Sequence, residues 1–332
     1  MRLLIAALCL LPLPLRADPV IDRVLDEVVS PGLAVFTTAT GALEAAAVAD
    51  CRATSEDLRA AWAGAMDAWF GIADLRFGPL EDGAQRQIIA YWPDNGGHRP
   101  KALARWLAGW QPGAEDAAAF RTQPVSVRGL YAMESMLYDP RFNTYTKSDA
   151  GCALVRLATA DLSATAHEVA TAWEEDFATV LRTAGDAGNA RFLDAIEARQ
   201  AVFTALLTSL QFDIVERIGL PLGTVETPRP TRAEGRLSGR SQRNLELSLA
   251  AHEALARALV PEGATLTGED FERVRWMAAR LDDPDFSGVA DPTGRFRLEA
   301  VQTALTLLRT VANEELSAAL GVTMGLNALD GD

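Results

Sequence analysis

The chain has 332 residues, of which 49% are apolar, a length and composition that suit a sizeable core divided over about two domains. Its formal net charge is −14. An acidic surface repels nucleic-acid phosphates and anionic lipid, so both are discounted as partners.

At the N-terminus, Arg2 precedes an apolar run from Leu3 to Leu15, and Ala17 is a small residue suited to stand before a cut. The pattern predicts a signal peptide over residues 1–17, with Asp18 as the new N-terminus. Pro12 and Pro14 argue against a buried helix here. The run is also shorter than the roughly 20 apolar residues that span a bilayer. Cys9 stands too early for lipoprotein processing. Removal of Arg2 and Arg16 would make the mature chain two charges more acidic. The expected location is the periplasm, with no transmembrane segment in the mature chain.

Of the three cysteines, Cys9 would leave with the leader, while Cys51 and Cys152 would remain. An even count in an oxidising compartment favours one disulfide over two free buried thiols. It would close a loop of about 100 residues.

Helical periodicity then runs almost throughout. Thr54 or Ser55 can cap a helix whose apolar face is Leu58, Trp62, Ala65, Trp69 and Ile72. It ends before Arg76-Phe77-Gly78-Pro79. A second stripe uses Leu154, Leu162, Val169, Trp173, Phe177 and Val180; a third runs from Phe192 to Ile214. A fourth starts near Ser241 and uses Leu245, Leu249, Leu255 and Leu259; a fifth runs from Leu298 to Leu320. Such stripes mark helices with one buried face. No alternating strand pattern is present. Turn-rich breaks separate the stripes, and the one at Gly185–Asn189 falls near the middle. The expectation is an all-α fold of two packed four-helix-bundle-like halves, residues 18–187 and 188–332.

Common catalytic patterns are missing: there is no HExxH helix, no GxSxG elbow and no GxxxxGK[ST] loop. His98, His167 and His252 are the only histidines, and none pairs with another at helical spacing. Two polar segments stand out instead. In the first, residues 127–138, Tyr131, Glu134 and Tyr138 share one helix face. A glutamate among Leu, Met and Tyr needs a partner, and Arg128, six residues away, is a poor local one. An arginine across a helix interface is the plain structural alternative. The second segment is Arg236 to Asn244. Ser238 or Ser241 can cap the helix that follows. Arg236, Arg240 and Arg243 beside it can hold a carboxylate, from a ligand or from Glu134.

Gly129-x-Tyr131-x-x-Glu134 resembles the GxHxxE motif of the imelysin-like family. Trp62 to Trp69 followed by Phe77-Gly78-Pro79 is similar to that family's Trp-rich helix and FGP turn. Ser238-Gly239-Arg240-Ser241 is similar to its SGRS segment, and Gly325 to Asp332 resembles its GFNALDGD terminus. The resemblance runs in order from about residue 55 to the end. It implies two four-helix bundles, residence in the periplasm or on the outer surface, and a role in iron acquisition or regulation. Some relatives are described as metallopeptidases, and the motif histidine and glutamate are their functional pair.

Here the motif histidine is Tyr131, so zinc hydrolysis loses its best ligand. Tyrosinate still suits ferric iron, and Glu134 is a hard oxygen donor. The expected function is therefore a non-catalytic binding component for a metal ion, a metal complex, or an iron-uptake protein of the periplasm or membrane. A metallopeptidase and a metal-free interaction module are the alternatives. The candidate ligand-binding residues are Arg128, Tyr131, Glu134, Ser238, Arg240 and Ser241, with Tyr131 and Glu134 the candidates for metal, iron or another divalent or trivalent ion.

Overall fold

The computed structural model describes residues 18–113 and 115–323. The expected leader, residues 1–17, and the terminal segment from Gly325 lie outside them. Every regular element among the described residues is helical.

Helix α1, Pro19–Ala49, begins at Asp18, whose carboxylate accepts from Val20 N at 2.9 Å. A π-helical turn at Leu25–Val29 interrupts it. Its inner face is Leu33, Phe36, Thr40, Leu43 and Ala47, a three-four spacing that packs on two neighbouring helices. By length and composition this helix is apolar enough to cross a membrane. Only 28% of its most apolar stretch is buried inside the protein.

Helix α2, Glu56–Phe70, starts at Ser55, which caps Leu58 N at 3.3 Å. Leu58, Trp62, Ala65 and Trp69 are buried, as the stripe predicts. Past its end, Gly78 sits at φ 62°, and a Cβ there would lie 2.5 Å from the Phe177 ring. The Phe-Gly-Pro turn is thus fixed by close approach of an aromatic ring. Helix α3, His98–Gly109, is capped by Asp94, which accepts from His98 N at 2.7 Å and Arg99 N at 2.8 Å. Helix α4 is Gly129–Tyr138. Helix α5 spans 150–182 with a π turn at Trp173–Phe177. Cys51, just past α1, is joined by a disulfide to Cys152 in the first turn of α5, with Cα atoms 5.3 Å apart. Helices α1, α2, α4 and α5 pack side by side.

Helix α6 spans 195–222. Asp194 caps it, so Phe192 lies before it and packs on Phe177 instead of joining its stripe. A π turn at Asp213–Ile218 inserts one residue into the repeat. That shift turns Asp213 and Arg217 inward together with Ile214 and Ile218. Helices α7 (Ser241–Leu259), α8 (Thr265–Ala278) and α9 (Pro292–Leu320) complete the second group. Helix α7 packs on α2 and on the start of α1 as well as on α6 and α8. One contiguous apolar core therefore runs through both groups of helices. The loop from residue 223 to 240 crosses that junction, and it brings the second polar segment onto α4.

Candidate functional site

Helix α4 opens at Gly129, where φ is 70°. A Cβ at this position would lie 2.2 Å from the carbonyl oxygen of Ile88, so only glycine fits. From Gly129 to Leu137 every residue is buried, and the helix runs through the interior with no solvent face. Its three buried polar side chains must find protein partners: Ser135 donates to Tyr131 O on the same helix, while Tyr131 and Glu134 find theirs on the 223–240 loop.

The Tyr131 hydroxyl donates to Glu234 Oε1 at 2.5 Å. Burial, and then the Glu234 carboxylate, push the phenol far above its ordinary range. Glu234 Oε2 accepts from Arg217 Nε at 2.6 Å. Arg217 also holds Asp213, one helical turn back, and donates to Ser248 Oγ at 2.8 Å. Asp213 Oδ2 lies 3.0 Å from His252 Nε2, and His252 Nδ1 lies 2.5 Å from Asp74 Oδ2. Burial alone would lower the imidazole pKa, but Asp74 and Asp213 push it up to about 9. His252 is therefore a cation at neutral pH, with both ring nitrogens donating. The result is a buried chain of alternating charge from Tyr131 to Asp74.

Glu134 accepts from Ser238 N at 3.1 Å and from Ser238 Oγ at 2.7 Å, both on Oε1. No protein hydrogen bond among the described residues reaches Oε2. Burial raises the carboxyl pKa, while Ser238 and Arg99 pull it back. Glu134 floors a cavity of about 320 Å³ bordered by Arg99, Asp139, Arg141, Arg232 and Arg236. Asp94 borders it too, but is engaged in capping α3. Asp139 is held by Arg141 at 2.5 Å. A second cavity, of about 340 Å³, lies across Trp92 and Pro93, which border both. Tyr131 and Glu234 open onto this second cavity. Tyr131 and Glu134 are one helical turn apart yet face different spaces.

The remaining sequence candidates divide as follows. Arg128 turns away and forms a two-point pair with Asp161 at 2.8 and 2.7 Å, and it also donates to Arg121 O at 2.8 Å. It borders neither cavity. Arg240 and Arg243 both hold Asp67 of α2 rather than Glu134. Ser241 is the first residue of α7 and is buried, but it caps nothing; Arg240 occupies the cap position and gives no side-chain cap. Tyr138 packs on Trp62 at 5.3 Å, with the Arg59 guanidinium over its ring.

As a resident metal site, the Tyr131–Glu134 pair does not fit. The phenol's proton is committed to Glu234, and the two oxygens address separate cavities. No group of three or more His, Cys, Asp or Glu among the described residues is arranged to hold a metal ion. His98 and His167 are exposed on the surface. Sequence reasoning missed Asp74, Arg99, Asp213, Arg217, Glu234 and His252. Three of them left a signal: Glu234 sits four residues before Ser238, and Asp213 and Arg217 interrupt an apolar stripe one turn apart.

The chain matches the family profile described as Imelysin over residues 29–312. No curated protein matches it. Among solved structures it is similar to an imelysin-like protein from Psychrobacter arcticum 273-4, with TM-score 0.76 and 19% identity over 92% of this chain and 96% of that one. It is also similar to a putative iron-regulated protein A precursor from Parabacteroides distasonis ATCC 8503, with TM-score 0.67 and 14% identity over 90% and 94% of the two chains. At these identities the likeness is one of fold.

Proposed function

Because the chain belongs to the imelysin family, we propose that it is an exported, non-catalytic binding component in iron acquisition or regulation, and that it holds an anionic metal complex in the cavity floored by Glu134. The observation that carries this reading is the charge of the cavity wall. Arg99, Arg141, Arg232 and Arg236 border it, while Asp94 and Asp139 are already engaged. A bare cation entering this space meets guanidinium groups. A metal carried by carboxylates suits it better: guanidinium forks bind carboxylates at two points, and Glu134 Oε2 remains beside them. The iron link is supported by the name of the Parabacteroides relative. Export is supported by the apolar run in residues 1–17 and by the Cys51–Cys152 disulfide.

The family also contains proteins described as peptidases. Hydrolysis of that type needs a metal with an open position and an activated water. The tyrosine at position 131, with its proton on Glu234, disfavours that reading for this chain.

The test is calorimetric titration with ferric citrate, and with citrate alone. Wild-type protein is expected to bind the ferric complex, and Glu134→Gln and Arg99→Gln each to weaken it by about tenfold or more, the equivalent of roughly 1.4 kcal/mol, without unfolding. Equal binding by wild type and both variants would sink the assignment. Chelator-sensitive peptide cleavage by the purified protein would establish the peptidase alternative.

A further inference from the structure

The second cavity carries a different chemistry. Its wall contains Arg76, Arg86 and Arg217 and the aromatic rings of Trp69, Trp92 and Phe212. The arginines the fold buries most deeply are Arg128, Arg217 and Arg240, and each holds a carboxylate. Arg76 holds none among the described residues. Its Nε donates to Ser209 Oγ at 3.2 Å, and its guanidinium lies over the Phe212 ring, 4.3 Å from the centroid. Both terminal nitrogens are left without a protein acceptor.

Arg86 is only partly matched. Its Nε donates to Glu81 at 2.5 Å and its Nη1 to Ala73 O at 2.7 Å, but Nη2 is buried with no acceptor. The acids nearest Arg76 are committed elsewhere: Asp74 to His252, Glu81 to Arg86, and Glu234 to Arg217 and Tyr131. Glu216, half-buried, feels the Arg76 charge but makes no ion pair with it. Burial, with Arg86 and Arg217 close by, lowers the Arg76 pKa to about 9. A cation in that state has a strong demand for an anion.

We propose that the cavity bounded by Arg76, Arg86 and Arg217 is an oxyanion-binding site that takes the carboxylate or phosphate group of a small organic ligand. Arg76 supplies a two-point fork through its terminal nitrogens, and Arg86, whose Nη2 is itself buried from solvent, adds its charge to the wall. Arg217 contributes field rather than a bond, since Glu234, Asp213 and Ser248 already hold it. The flat walls of Trp69, Trp92 and Phe212 suit a planar body behind the anionic group. The volume of about 340 Å³ falls at the small end of ligand pockets. This site is separate from the Glu134 cavity and does not depend on the function proposed for it.

Two probes test the proposal at constant ionic strength: sodium benzoate for a planar carboxylate and inorganic phosphate for a phosphate group. Trp69 and Trp92 supply a fluorescence readout, and thermal unfolding supplies a second. At least one probe is expected to saturate, change tryptophan emission and raise Tm; which one does so identifies the group. Arg76→Gln is expected to weaken that probe at least tenfold and abolish the rise in Tm, without lowering Tm in its absence. Arg76→Lys, which keeps the charge but loses the fork, should weaken the probe by an intermediate factor. Saturation by neither probe overturns the proposal. So does loss of affinity in Arg99→Gln with none in Arg76→Gln, which would put the anion in the Glu134 cavity.

Discussion

The Tyr131 hydroxyl is the single donor to Glu234 Oε1, at 2.5 Å, and both residues are buried. Tyr131→Phe removes one oxygen and leaves the rest of the ring in place. Glu234 then keeps Arg217 on Oε2 but has a bare carboxylate oxygen in the interior. Loss of a hydrogen bond to a buried charged group costs about 1.5–3 kcal/mol. With an unfolding entropy of roughly 2 cal/mol/K per residue, a chain of this size should lose about 2–5 °C in Tm. Urea unfolding followed by circular dichroism reads the free energy directly. Pairing the change with Glu234→Gln in a double-mutant cycle isolates the contact, and a coupling of about 1 kcal/mol or more is expected. A loss within about 0.5 kcal/mol, the range of an ordinary surface substitution, would refute the view that this phenol holds a buried carboxylate. A visible absorption band on adding ferric iron, present in wild type and absent in Tyr131→Phe, would refute it from the other side by placing the phenol on a metal.

His252 gives a pH prediction. Its folded pKa of about 9 exceeds its unfolded value near 6.5, so its contribution is fully present below 6.5 and is lost as pH rises through about 9. Urea titrations across that window should show declining stability in wild type and a flatter profile in His252→Gln. An equal decline in both would remove the imidazolium from the explanation. Arg128→Met should cost about 3–5 kcal/mol, because it strands the buried Asp161, yet ferric citrate affinity should not move; a loss of affinity at full occupancy of the fold would return Arg128 to the ligand site. Removing the disulfide as the Cys51→Ala, Cys152→Ala double variant opens a loop spanning 101 positions and should cost about 4–5 kcal/mol on the loop-entropy estimate, measured as a drop in urea midpoint.

Much of the fold was legible because a helix that buries one face must repeat that face along the chain. The stripes beginning at Leu58, Leu154, Leu245 and Leu298 all became helices with those residues inside. Helix α1 left a fainter stripe, since its inner face includes Thr40 and Ala47 among the larger residues. Helix α4 is buried all round, so its sequence has no polar side to set the phase. The site was half legible. Glu134 and Ser238 each stood out as polar groups in unusual company, and the structure joins them. Their neighbours could not be assigned from spacing, because partner choice depends on which helices meet. Asp74 and His252 are 178 positions apart. Arg240, sequence neighbour of Ser238, reaches past Glu134 to Asp67.

The buried chain from Tyr131 through Glu234, Arg217, Asp213 and His252 to Asp74 alternates donors and acceptors, with Ser248 bridging its middle. Altering one link strands the next, so single substitutions along it should be filtered out while paired ones survive. A descendant that replaces the tyrosine with histidine brings ring nitrogens that stop short of the phenol oxygen's position, so Glu234 must shift or change with it. A descendant that replaces it with phenylalanine must also change Glu234. Drift at these six positions should therefore proceed in compensated pairs, and the tyrosine here is held in place less by any ligand than by the carboxylate it serves.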